Sequence, residues 1–267
     1  MKDKVVIITG GSSGIGRALA EEFGSRGSKL LITGRSQEQL DKTVADLRGK
    51  GIVIESFVSD VSIEEDNRQM AQAAKLRFGT IDVLINNAGI SMRALFEEVD
   101  LEVIKKVMDI NFYGVLYATK YCLPEIIKNK GSVVGISSIA GYRGLPGRAG
   151  YSASKFALQG WLESIRTELM GDGVHVMWVC PGFTTSNIRN AALDKKGESH
   201  GESPMDEGSM MSAEECAEHI LSAITKKKRT IVLTFTGKRT VIMNKFFPRL
   251  ADKLVRNFFF KDGKLVK

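Results

Sequence analysis

Short unbroken runs of β-branched and aliphatic residues are separated along this chain by longer stretches in which apolar positions recur every three or four residues. Residues 5–10 (VVIITG) form the first run, and the RALAEEF segment downstream of it has helical spacing. A second run covers 29–33 and precedes a predicted helix over 36–48; a third covers 53–58 and leads to a helix that reaches residue 78. A fourth apolar run lies within 81–89, and a long helical stretch occupies about 97–130. The fifth, sixth and seventh runs are 132–138, 174–182 and 230–235. The helix predicted over 151–170 carries Leu158, Trp161, Leu162, Ile165 and Leu169 on one side, which is expected to face the core or a subunit interface. Apolar strands alternating with helices predict an α/β fold, a doubly wound parallel sheet with helices on both faces. Ligands in such sheets bind at the carboxyl ends of the strands.

Composition changes this picture little. A chain of 267 residues, 43% hydrophobic and 26% charged, is long enough for one large domain with a sizeable core. No apolar run approaches the ~20 residues that span a bilayer, and the N-terminus lacks the apolar segment of a signal peptide, so a cytoplasmic location is expected. Cys122, Cys180 and Cys216 are far apart and outside any metal or redox spacing, as are His175, His200 and His219; packed, reduced thiols and no metal site are expected.

Charge changes it more. The net charge of +7 is concentrated at the end: residues 226–267 hold thirteen Lys/Arg and two Asp/Glu, while the first 225 hold 25 and 29. An acidic body without a nucleic-acid motif argues against nucleic-acid binding.

Candidate chemistry clusters at the predicted strand ends. Gly10, Gly14 and Gly16 follow the first strand and open a helix, where glycines let the backbone approach a pyrophosphate and free N–H groups point outward. The second strand ends in Gly34-Arg35, with no acid at Thr33 or Gly34. A carboxylate there would suit the ribose 2′-hydroxyl of NAD, whereas an Arg suits the 2′-phosphate of NADP, so NADP(H) is favoured; Arg35 could otherwise be a solvated loop charge. Tyr151 and Lys155 stand four residues apart on one helix face, thirteen residues after Ser138. A phenol titrates near 10, and a neighbouring ammonium draws that value down, so Tyr151 could give or take a proton.

Together TGGSSGIG, Asp60-Val61, NNAG at 86–89, Asn111, Ser138, YSASK and Pro181-Gly182 resemble, in order, the motifs of the short-chain dehydrogenase/reductase family over about residues 4–235. The likeness extends to its hydroxysteroid-dehydrogenase-like and dehydrogenase/reductase-member-7-like branches, which also carry basic C-terminal extensions. The resemblance implies a seven-stranded Rossmann sheet and four catalytic positions: Asn111, Ser138, Tyr151 and Lys155. It implies that Tyr151 exchanges a proton with the substrate oxygen while hydride moves to or from the nicotinamide. Ser138 would orient that oxygen, Lys155 would tune Tyr151 and hold the ribose, and Asn111 would hold a water; read alone, Asn111 fits equally well as a structural amide. Cofactor contacts are implied for Gly10, Ser12, Ser13, Gly14, Ile15, Gly16 and Arg35, and for Asp60, Val61, Asn87, Ala88 and Gly89. They are also implied for Tyr151, Lys155, Pro181, Gly182 and Ser186, the last standing where the family usually has Thr.

The polar stretch 184–211 shows little periodicity and reads as a lid over the substrate. Met92, Tyr142, Leu145 and Phe183 are substrate-contact candidates that favour a bulky hydrophobic carbonyl compound, steroid-like or acyl-lipid, although packing would explain each of them too. Residues 236–267 form a basic, Phe-rich extension with two readings: peripheral contact with an anionic membrane, or packing on the sheet edge or a sister subunit. Against the reductase stand a 3-oxoacyl-carrier-protein reductase, whose chain usually ends soon after the seventh strand, and a non-catalytic NADP(H) sensor or scaffold, for which Ser138, Tyr151 and Lys155 would be superfluous. A homodimer or homotetramer is expected from the family's helices over 97–130 and 151–170.

Overall fold

In the computed structural model, which describes residues 1–199, 201, 208 and 210–266, the apolar runs become a seven-stranded sheet. His200 and part of the predicted lid lie outside the described residues. The strands are β1 (Val5–Thr9), β2 (Lys29–Gly34), β3 (Ile54–Val58), β4 (Val83–Asn86), β5 (Ser132–Ile136), β6 (His175–Cys180) and β7 (Thr230–Val232). Their order is β3-β2-β1-β4-β5-β6-β7, and every neighbouring pair is parallel. The chain reverses its winding between β1 and β4, which opens a crevice at their carboxyl ends.

Residue parity divides the core into two layers, because successive strand side chains point to opposite faces. Val6, Ile8, Leu30 and Ile32 face one way, toward α1 (Gly14–Ser25), α2 (Gln37–Gly49) and α7 (Ala213–Thr225). Ile7, Leu31 and Leu84 face the other, toward α3 (Glu64–Phe78), α5 (Gly114–Lys128) and α6 (Ala149–Glu168). Helix boundaries follow local chemistry. Ser36 and Ser212 cap α2 and α7 by accepting from the amides of Gln39 and Glu215, and Gly79, with φ of 82°, ends α3 in the left-handed region.

Four details differ from the sequence expectations. The helical stretch 97–130 is two helices, α4 (Leu101–Met108) and α5, joined by a π-turn over Asp109–Tyr113. Such turns widen a helix locally, and this one carries Asn111. Helix α6 begins two residues before Tyr151. Strand β7 stops at Val232 instead of continuing to 235, because Thr234, with φ of 58°, leaves the extended region and caps the next helix through the Gly237 amide. Helix α7, the crossover that parallel β6 and β7 require, is amphipathic and is absent from the expected elements.

The extension folds into α8 (Phe235–Phe246), α9 (Pro248–Phe259) and a small hairpin, β8 (Phe260–Lys261) with β9 (Lys264–Leu265). It returns onto the segments that follow β4 and β5. Asn244 donates to the Tyr142 carbonyl at 2.8 Å, Arg143 pairs with Asp252 at 2.5 Å, and Arg93 donates to the Val266 carbonyl at 3.1 Å. A Cβ on Gly147 would lie 2.6 Å from Leu265, so this glycine admits the hairpin. Phe259 and Ala251 are buried by the fold-back.

Candidate active site

The carboxyl ends of the strands enclose a cleft of about 520 Å³. One end is a cradle of backbone. Gly10 and Gly14 have φ of 65° and 49°, values that glycine adopts without strain. A Cβ on Gly16 would stand 2.1 Å from the Gly10 carbonyl oxygen, so only glycine lets α1 start this close to the turn. Ser13 precedes α1 without capping it by its side chain, which leaves the first-turn N–H groups turned toward the cleft. Gly10, Ser12, Ser13, Gly14 and Ile15 line this end, whereas Gly16 sits behind them as a packing residue.

The end of β4 locks the turn in place. Asn87 donates through Nδ2 to the carbonyls of Thr9 and Gly10 at 2.9 and 3.0 Å, and the amides of Asn87 and Ala88 both donate to Thr9 Oγ1. Asn87, Ala88 and Gly89 line the cleft beside Asp60 and Val61. Asp60 is itself fixed, its Oδ1 accepting from the amide and hydroxyl of Ser62. Exposed Arg35 lies on the wall with Thr33 and Gly34, so no acid stands at the end of β2. Helix N–H groups without a side-chain cap from Ser13, a turn that excludes side chains and an adjoining cation fit a dinucleotide phosphate.

At the other end β5 and α6 bring Ser138, Tyr151 and Lys155 to one wall; Pro181 and Gly182 also line the cleft, and Ser186 reaches the cradle, its Cβ 3.4 Å from where a Cβ on Gly14 would stand. Ser138 Oγ accepts from the Ala140 amide at 3.1 Å and caps a 3₁₀ turn over Ile139–Gly141, which leaves its hydroxyl proton to donate. Burial raises the Tyr151 pKa; a hydrogen bond with Ser138 and the guanidiniums of Arg148 and Arg189 act in the opposite sense. The phenol is therefore protonated at neutral pH. Lys155 Nζ lies 5.7 Å from the centre of the Tyr151 ring and donates to the Ile136 carbonyl at 2.9 Å, and burial brings its pKa down to about 8.

Asn111 is behind this wall. Its Oδ1 accepts from the Ile90 amide at 2.8 Å, and its Nδ2 donates to the Ile90 carbonyl and to Ser154 Oγ. Ser154 in turn donates to the Tyr151 carbonyl at 2.7 Å. The carboxamide thus ties the β4 end to the first turn of α6, the structural role that the amide also fitted in the sequence. Of the substrate-contact candidates, Leu145 and Phe183 line the cleft. Met92 is wholly buried in a small core with Val103 and Leu193, and Tyr142 points to Trp178, whose Nε1 donates to its hydroxyl at 3.1 Å; neither belongs to the cleft wall.

The short chain dehydrogenase family matches residues 4–197 of this chain. The chain belongs to the short-chain dehydrogenase/reductase family. It is 33% identical over 270 residues to the mouse dehydrogenase/reductase SDR family member 7B, covering 99% of this chain and 84% of that protein. It is 34% identical over 262 residues to the Arabidopsis thaliana 11-beta-hydroxysteroid dehydrogenase 1A, covering 93% and 73%. A Burkholderia phymatum family member solved with NAD superposes with a TM-score of 0.84 at 25% identity, over 93% of this chain and 95% of that one. An archaeal alcohol dehydrogenase from Thermococcus sibiricus, complexed with 5-hydroxy-NADP, gives 0.77 at 25% identity over 87% and 96%. This chain is therefore an oxidoreductase of a fold that binds nicotinamide cofactors.

Several residues of the site lie outside the sequence expectations. Thr9 had a usable signal, a hydroxyl one residue before the glycine turn. Arg148 and Arg189 stand in no motif, and Phe258 and Phe259, which line the cleft, lie more than a hundred residues from Tyr151.

Proposed function

We propose that this chain is an NADP(H)-dependent oxidoreductase that interconverts a ketone and a secondary alcohol on a bulky, largely apolar substrate. The convergence of Ser138, Tyr151 and Lys155 on a cleft continuous with the glycine cradle carries this reading. The bound nicotinamide would supply or take the hydride. Tyr151, protonated at neutral pH, would give its phenolic proton to the carbonyl oxygen, and Ser138 would donate a hydrogen bond to the same atom. One Lys155 N–H is held by the Ile136 carbonyl, leaving two for ribose hydroxyls.

Arg35 on the cleft wall, with no carboxylate at the end of β2, supports NADP(H) over NAD(H). Phe183, Phe258 and Phe259 support a bulky apolar substrate, and the extension that delivers two of them argues against an acyl-carrier-protein reductase. Exposed Phe246, Phe247, Leu250 and Leu254 stand among Lys245, Arg249, Lys253 and Arg256, which supports a cytoplasmic protein held at an anionic lipid surface. Exposed Tyr113 and Phe156, on the π-turn and on α6, support a homo-oligomer.

NADPH consumption by the purified protein against ketones from small diketones to steroids and long-chain oxo-lipids tests the reading, with NADH as comparator. Turnover of a bulky ketone is expected, with preference for NADPH. Tyr151→Phe should lower kcat by ~10²- to 10⁴-fold and leave NADPH binding in place. Tight NADPH binding without turnover across the panel would favour a sensor instead.

A further inference from the structure

We infer that Arg148 forms, at the substrate end of the cleft, a binding site for the carboxylate or phosphate group of an otherwise apolar ketone. The inference rests on the reductase reading for the word ketone, and on the structure around Arg148 for the charge. Arg148 stands at the N-cap of α6, three residues before Tyr151, and lines the cleft. Its guanidinium lies 5.5 Å from the centre of the Phe259 ring, so the C-terminal extension supports its flat face. Among the described residues that guanidinium has no hydrogen-bond acceptor and no carboxylate partner.

The surroundings make this position costly without a ligand. Burial first, and then the neighbouring cations Arg93 and Arg189, disfavour the charged form of Arg148; Tyr151 acts the other way only as a phenolate, and its phenol is protonated at neutral pH. Asp60 is the one acid among the described residues of the cleft wall, and it belongs to the cradle end with its Oδ1 already engaged by Ser62. Leu145, Phe183, Phe258 and Phe259 supply apolar surface to the cleft. A partly desolvated cation without a counter-ion is unfavourable, and a bound anion removes that cost. Guanidinium is also the side chain whose planar donors match both oxygens of a carboxylate or phosphate. The cradle end has its own donors in the α1 N-terminus and Arg35, so the cofactor's phosphates have other partners.

Matched ligands test this. With NADPH present, calorimetry of the wild-type protein with decanoate, decyl phosphate and decanol should show at least one anion binding about tenfold or more tightly than the alcohol, and the tighter anion names the group. In kinetics, the readout is the ratio of kcat/KM for a keto-decanoate, or the corresponding ketone phosphate, to that for the uncharged methyl ester. Arg148→Met should lower that ratio by about 10- to 150-fold, the worth of a hydrogen bond to a charged group. Arg148→Lys, which keeps the charge and loses the fork, should fall between the two. Decanol binding as tightly as both anions would overturn the inference. So would an unchanged ratio in Arg148→Met with the pH profile displaced, since Arg148 would then act on the Tyr151 phenol. Should wild type turn over no ketone yet bind the anions through Arg148, the reductase reading fails and the anion site stands.

Discussion

The cradle end of the cleft is made of backbone, and the substrate end is made of side chains that arrive late in the chain. At the cradle, Gly10, Gly14 and Gly16 are held between β1, α1 and the Asn87 carboxamide, all within the first 90 residues. At the substrate end, Phe183 and Arg189 come from the segment after β6, and Phe258 and Phe259 come from the extension. Backbone fixed by a parallel sheet cannot be re-shaped by exchanging one side chain, whereas a wall of side chains can. One fold can thus keep its cofactor site while its substrate changes.

The harshest test of this contrast is Gly16→Ala. The new Cβ would meet the Gly10 carbonyl oxygen at 2.1 Å and Asn87 Nδ2 at 2.6 Å, and backbone on one side cannot yield. Overpacking of this kind costs about 3 kcal/mol at the upper end of its usual range. Urea unfolding should show that loss, and NADPH affinity should drop more than tenfold as the turn is pushed open. A variant with wild-type stability and affinity would show that the cradle is not the rigid end.

The same contrast explains what was legible in the sequence. Val5–Thr9 and the glycines after it are a local pattern, since strand, turn and helix are neighbours in the chain and each glycine answers a local steric demand. Tyr151, Lys155 and Ser138 were legible because one helix face and one strand end position them. Asn111 was found by its motif, but its carboxamide is spent on Ile90 and Ser154, partners twenty-one and forty-three residues away that no spacing reveals. The extension was the hardest to read. Its basic residues and phenylalanines fit a membrane face, and some do face outward, yet Phe259 is buried under Arg148 because Gly147 leaves room for Leu265. Fold-back of this sort depends on tertiary contacts alone.

Lys155 stands where the two ends meet, and it sharpens the comparison by setting stability against function. Its folded-state pKa of about 8 lies below the ordinary 10.5, so between those values the unfolded chain binds the proton that the folded chain has lost. Stability should therefore rise with pH through that window, and the cost of the buried charge is fully present below about pH 8, at about 3 kcal/mol. Lys155→Met removes that cost but strips the Ile136 carbonyl of its donor, so a net gain of about 1–2 kcal/mol at pH 7 is expected. Urea titrations of the cofactor-free protein at pH 7 and above pH 10 check this. The gain should be gone at the higher pH, while turnover is lost at both.

Phe259→Ala tests the side-chain end with the smallest effect. Phe259 is buried, touches Phe258 edge-to-face at 5.2 Å between ring centres, and lies under the Arg148 guanidinium. Truncation of a core phenylalanine usually costs about 3–5 kcal/mol, but this one sits at the cleft mouth on an element added outside the sheet, where the opened space can fill with water. Global stability should fall by only about 1 kcal/mol, and loosening of the β8–β9 hairpin should show as faster amide exchange in 260–266. The kinetic signature is a KM for a bulky ketone raised about tenfold, with NADPH affinity unchanged because the cradle is held by β1, α1 and the Asn87 carboxamide. A parallel loss of NADPH affinity would mean that the two ends are coupled through α6, and the division between a fixed cofactor site and an adaptable substrate wall would fail.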